Sequence, residues 1–419
     1  MEAKDVRNTS MPFLYGNKGI TLVALVVTII VLIILAAVTI NMLIGQNGIL
    51  KRAQEGAMNW KSEEERELAL LGDLENYIDN QLDGKGEEGP TQHGTVWVPE
   101  GYVVSKVTSE DEVTEGLVIY EGLGDVTDTN HNDAMENRNQ YVWIPVANIN
   151  DMVMCRDHGA AVTLTFAERA FTCPTCGINP SLAGKLYATS DGNNFNSSLA
   201  GQIFTRDSGF REPDIVTDSD KDDNSTYLEA AGVSTSAQLL TQLRDDYEEM
   251  ATSVAKYGGF YISRYEASIN VEKIESKKGK IPMNAKAASG NMWYGIYNKL
   301  RNKTGRTKSH MVWGSNWDQV MKFANGKKDG NDDTYNVKLF KTQRHTGSYA
   351  YTGDNAHDNV LNIYDLEGNL WEWTAEAYLS YARTLRGSDY LNNYSASHRQ
   401  IVPSTYTNAT FGSRSILYL

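Results

Sequence analysis

The chain has 419 residues, a formal net charge of −14 at pH 7 and a mean hydropathy of −0.43. No basic cluster interrupts that acidic balance in the globular part, which excludes nucleic acid and anionic headgroups as charge-driven partners. Residues 19–50 are different: they carry no charged side chain, are entered through Lys18-Gly19 and are left at Lys51. Their core, residues 20–44, is long enough to cross a hydrocarbon layer about 30 Å thick at about 1.5 Å per helical residue. A helix satisfies its own backbone polar groups, so this run is expected to sit in lipid as a single-pass anchor of the cell membrane, with the C-terminal part outside. Lys4, Arg7 and Lys18 precede it and no small-residue cleavage site follows it, unlike a secretory signal. Lys51, Arg52, Lys61 and Arg66 follow closely, so charge counting leaves the orientation open.

Beyond the span, Ile49, Ala53, Ala57, Trp60, Leu68, Leu71, Leu74, Ile78 and Leu82 recur at three- and four-residue steps. That period predicts a helical extension over residues 45–82, broken near Asn47-Gly48. Residues 83–95 are rich in glycine and charge and read as a linker. Residues 96–419 exceed a typical domain but fit one with an insertion at about residues 148–230. Strand-like runs at 95–98, 141–146 and 260–265, with helical stretches at 239–257 and 317–324, predict a loop-rich α+β domain.

Inside the insertion, Cys155 and His158 form a C-x2-H pair, and Cys173 and Cys176 a C-x2-C pair, fourteen residues further on. Two ligands per tight turn, all Cys or His, is how a tetrahedral structural zinc is gripped. An outward-facing compartment favours disulfides instead, so a bridge from Cys155 to Cys173 or Cys176, or free thiols, are the alternatives. Residues 218–229 imitate a calcium-binding helical-hand loop, but Asp223 stands where the turn needs glycine, so they read as a solvated acidic loop. Glu372 and Glu376, four apart, read as fold support facing one another on a helical turn.

Lys18-Gly19-Ile20-Thr21-Leu22 resembles the leader of type IV prepilins and type II secretion pseudopilins. The resemblance implies cleavage between Gly19 and Ile20, a leader at residues 1–19, and other pilin-like subunits as partners. It departs at the fifth mature position, where Ala24 replaces the glutamate that pairs with a neighbour's amine; a tip or minor subunit, or a plain anchor, fits that loss. An uncleaved signal anchor is the alternative.

The run from Asn362 to Trp373 (NIYDLEGNLWEW) resembles the signature of the formylglycine-generating enzyme and sulfatase-modifying-factor family. Arg383 to Tyr390 resembles its "RVxRGGSW", Phe411-Gly412-Ser413-Arg414 its closing "GFR", and Gly259 to Glu266 its opening strand. The Trp317 helix sits where the family has its "PTEAEWEYA" helix. The resemblance implies a variant of the C-type lectin fold behind a long N-terminal transmembrane or pilin-like helix. In the family's oxidases two cysteines after "RGGSW" bind copper; residues 389–399 hold none, and Asn392 stands at the first position, so no copper is expected. The resemblance also places a calcium on the side chains of Asp365 and Glu372 and the carbonyls of Gly368 and Leu370, the alternative being an Asx-turn without metal. The C-terminal stretch offers Asp389, Tyr390, Asn392, Asn393, Tyr394, His398 and Tyr406, residue types that give adaptable contact at low entropic cost. They imply a non-catalytic adhesin-like recognition subunit for an extracellular protein or glycan. A divergent oxidase of the family, or an inert structural minor pilin, are the competing expectations.

Overall fold

A computed structural model describes residues 90–165, 170–187, 209–216, 224–270, 273–283, 292–302, 307–337 and 348–419. The chain divides into two compact units, Met1–Gly72 and Asp73–Leu419, and all the described residues belong to the second. The leader, the apolar span and the helical extension lie outside the described residues. Among those described, no helix is long and apolar enough to cross a membrane.

The second unit is built on a six-stranded antiparallel sheet in the order Lys308–Met311, Ser415–Tyr418, Gly259–Ser263, Gln140–Pro145, Val118–Glu121, Tyr102–Val104. Strand side chains alternate between faces, and both faces of this sheet are covered. Tyr141, Trp143, Tyr261 and Leu417 pack on one side with Val96 and Val98 of a short hairpin. Val142, Ile144, Phe260, Ile262 and Ile416 join the main core on the other. The hairpin begins at Thr91–His93, inside the segment whose composition reads as linker; Gly94 supplies the positive φ its turn requires.

The long helix Ser236–Tyr257 covers the main-core face, burying Leu239, Leu243, Tyr247, Met250 and Val254 at three- and four-residue spacing. It starts three residues before the stretch predicted from periodicity, because Thr235 and Gln238 form a reciprocal capping box. Such a cap contributes about 1 kcal/mol. It stops at Gly258, in the left-handed region at φ 81°. The next residue must also be glycine, since a Cβ at Gly259 would collide with the Ile144 carbonyl and the Trp143 ring.

A second, five-stranded sheet carries the late motifs. Phe210–Arg211, Trp371–Tyr378, Ala382–Arg386 and Arg399–Val402 pair antiparallel in that order, and Phe411–Ser413 lies parallel against Trp371–Trp373. Glu372 and Glu376 are therefore on a strand, not on a helical turn as their spacing predicts. Backbone reversal is completed upstream, where Asp365 and Asn369 adopt φ of 61° and 65°. The acidic loop at 218–229 is described only from Asn224, whose side chain caps a short helix, Ser225–Ala230, where a loop is expected.

The insertion folds as two small sheets. Val153–Cys155 pairs with Leu182–Gly184, and Thr163–Thr165, Ala170–Cys173 and Gly177–Ile178 form a three-stranded meander. Tyr187 ties the insertion to the core, its N–H donating to Asp318 Oδ2 at 2.9 Å and its hydroxyl to the Asp151 carbonyl at 2.8 Å.

Candidate metal centre and C-terminal surface

Cys155 ends a strand, His158 sits on the turn after it, and Cys173 and Cys176 flank the turn between the second and third meander strands. Pairing of Val153–Cys155 with Leu182–Gly184 brings the two turns together. Cys155 Sγ lies 3.4 Å from Cys176 Sγ and 3.5 Å from His158 Nδ1, and Cys173 Sγ lies 4.0 Å from the same nitrogen. All four ligand atoms fall within 4.8 Å of one another. Cys155 and Cys173 are buried, and His158 and Cys176 reach the surface. The Thr175 N–H points at Cys173 Sγ, 3.5 Å away. Among the described residues this is the one group of His, Cys, Asp or Glu side chains that converges as metal ligands do.

The C-terminal residues gather around the start of the Trp371–Tyr378 strand. Asn369 joins two loops there: its side-chain oxygen accepts from Ala350 N and its carbonyl from Tyr390 N. Tyr394 stacks on His398 with ring centroids 4.2 Å apart, and both lean on Trp371 at 5.5 and 5.6 Å. Tyr349 meets Tyr390 edge-on, and Tyr406 packs on Phe411. Tyr394, Tyr406, Asn392 and Asn393 are exposed, while Tyr390 and His398 are half-buried. Asp389 is the exception: it is only 2 % exposed, and its Oδ1 accepts from Leu391 N and Asn392 Nδ2, so it holds the loop and is withdrawn from the surface. Sequence reasoning missed the exposed Tyr349, Tyr351 and Leu391. For the tyrosines, density of aromatics upstream of the signature was the available signal.

Beneath this surface lie buried charges in two groups. In the first, Arg414 gives Nε and Nη2 to the two oxygens of Glu372, and its remaining donors to the carbonyls of Ser263 and Tyr364. Glu266 accepts from Asn369 Nδ2 and Leu370 N. Burial, then the nearby carboxylates Asp365 and Glu372, hold Glu266 well above the usual carboxylate range. Of the residues expected around calcium, Glu372 thus faces a guanidinium, Asp365 Oδ2 accepts from Gly353 N, and Leu370 contributes its N–H to Glu266.

In the second group, Arg399 bridges Glu376 Oε1 at 2.8 Å and Asp318 Oδ2 at 2.6 Å, and Arg386 holds Asp318 Oδ1 at 2.8 Å. Glu212 closes the group, accepting from Gly314 N and Ser315 N at the start of the helix Gly314–Ala324. Burial, reinforced by Glu376, pushes its carboxyl up to about 8. Full burial of carboxylates held by guanidinium groups and backbone N–H groups is an arrangement that fixes loops in place.

Residues 284–417 match the sulfatase-modifying factor enzyme 1-like domain family, and that segment carries a domain of this kind. No curated protein matches the chain in sequence. Among solved structures, it is similar to PvdO from Pseudomonas aeruginosa, at 14 % identity and a TM-score of 0.26, over 39 % of this chain and 82 % of that one. It is similar to CarF at 11 % identity and a TM-score of 0.26, over 38 % and 87 % of the two chains. A third likeness is to Treponema denticola variable protein 1, at 11 % identity and a TM-score of 0.25, over 72 % and 99 %.

Proposed function

We propose that the chain is a non-catalytic recognition subunit whose C-terminal surface binds an extracellular protein or glycan, held at the cell membrane by residues 20–44. The observation that carries the reading is the Tyr394–His398 stack on Trp371, flanked by exposed Tyr406, Asn392 and Asn393. Aromatic faces beside exposed amides give flat apolar contact and directional hydrogen bonds in one place, and buried ion pairs beneath keep the loops from collapsing. Residues 389–399 also lack the thiols that copper chemistry requires.

Protein and glycan arrays probed with the detergent-solubilised full chain test this. A specific ligand is expected, and Tyr394→Ala is expected to weaken it by about 2 kcal/mol, roughly thirtyfold in Kd, with the urea midpoint unchanged. Silent arrays together with copper uptake and oxygen consumption would overturn the reading in favour of an oxidase; silent arrays alone would leave an inert cap. The anchor is checked separately. Deleting residues 20–44 is expected to move the chain from the membrane fraction to the soluble one, and retention in the membrane would remove that part of the proposal.

A further inference from the structure

We propose that Cys155, His158, Cys173 and Cys176 hold one structural Zn²⁺ ion. A tetrahedral zinc with Zn–S near 2.3 Å and Zn–N near 2.0 Å sets neighbouring sulfurs about 3.8 Å apart and sulfur and nitrogen about 3.5 Å apart. The sulfur–sulfur separation of 3.4 Å and the sulfur–nitrogen separations of 3.5 and 4.0 Å sit around those edges. Three sulfurs and one nitrogen fill a four-coordinate shell, so no position is left for a substrate or an activated water. The ion is a staple.

Geometry also separates this reading from a disulfide. All three cysteines are free, and joining any two would leave the third sulfur beside an imidazole with nothing to bind. Zinc uses all four groups, and the Thr175 N–H aimed at Cys173 Sγ is a donor of the kind that stabilises a metal-bound thiolate.

The insertion has reason to need a staple. Its strands are two to four residues long, and sheets that small bury too little to order themselves. The effect of the ion extends past the two turns. Arg156, next to Cys155, donates to the Pro213 carbonyl and pairs with Asp214 at 3.5 Å, flanking the same segment from which Glu212 reaches Gly314 and Ser315. Zinc therefore fixes the outer end of a path that ends in the buried charges under the recognition surface.

The test uses the full chain in detergent, purified without chelator. Elemental analysis is expected to find about one zinc per chain, and Co²⁺ exchanged into the site to show the intense visible bands of a tetrahedral thiolate complex. Cys176→Ser is expected to lower the zinc retained after EDTA dialysis at least about tenfold, whereas His158→Cys keeps it and shifts the cobalt bands towards those of four thiolates. The wild-type cobalt spectrum decides the matter even if a variant fails to fold. Folded protein without zinc that gives no tetrahedral cobalt spectrum, or a peptide linking Cys155 to Cys173 or Cys176 through a disulfide, would overturn the proposal.

Discussion

Arg414→Met is expected to lower the stability of the folded domain by about 3–5 kcal/mol, the cost of stripping one partner from a buried ion pair. Arg414 is fully buried and engages both oxygens of Glu372 together with the carbonyls of Ser263 and Tyr364, so the substitution leaves three acceptor groups without their donor. Glu372 is already held above the usual carboxylate range by burial, and Arg414 is the group that opposes this. Without Arg414 the carboxyl must take up a proton or sit ionised in the core. Urea denaturation measures the loss as a lower midpoint at constant slope. Adding Glu372→Met removes the stranded carboxylate and is expected to restore about half of the loss or more, since a buried pair replaced by apolar groups is often neutral. A single variant as stable as wild type would mean that Arg414 does not hold this part of the fold.

Glu212 sets a pH dependence of comparable size. Its carboxyl is pushed up to about 8 in the folded state by burial and by Glu376, from about 4.5 for an ordinary glutamate. The folded form therefore keeps a proton that the unfolded form gives up. Stability from this group is fully present below about pH 4.5 and is lost as pH rises to about 8, a difference of order 5 kcal/mol. The groups facing Glu212 are Glu376 and Tyr247, with the Gly314 and Ser315 N–H groups partly opposing the shift. Between pH 6 and pH 9 the wild type is expected to lose about 3 kcal/mol more than Glu212→Gln, which cannot ionise. Parallel loss in both proteins would show that Glu212 is ionised in the native state at pH 6.

The long helix and the strands at 141–146 and 260–265 are legible in the amino-acid pattern because each has one period running over enough residues. The Cys/His quartet is legible for a related reason: its members come in pairs at turn spacing, so local distance is set by the chain itself. The helix Trp293–Leu300 is not. Trp293, Tyr294, Gly295, Ile296 and Tyr297 are buried in succession, and only Asn298 and Lys299 face outward, too few polar positions to set a period. Glu372 and Glu376 imitate a helical pair because four residues also return a strand to the same side; the strand places them on different arginines, Arg414 and Arg399. Asp389 is misplaced for want of a partner in view, since an Asp that caps its own loop looks in sequence like an Asp facing solvent. The same limit hides Asp318, whose guanidinium partners stand 68 and 81 positions further along the chain.

Phe411–Ser413 lies in one sheet and Ser415–Tyr418 in the interior of the other, with Arg414 between them. This segment is thus the seam between the two sheets. Until it arrives, Gly259–Ser263 and Lys308–Met311 have no common neighbour, and Trp371–Trp373 shows a bare apolar edge of the kind that aggregates. Closure pairs Ile262 with Ile416 and Ser309 with Leu417, partners far apart in sequence whose loop entropy must be met before their contacts reward it, so this step is expected to come late in folding.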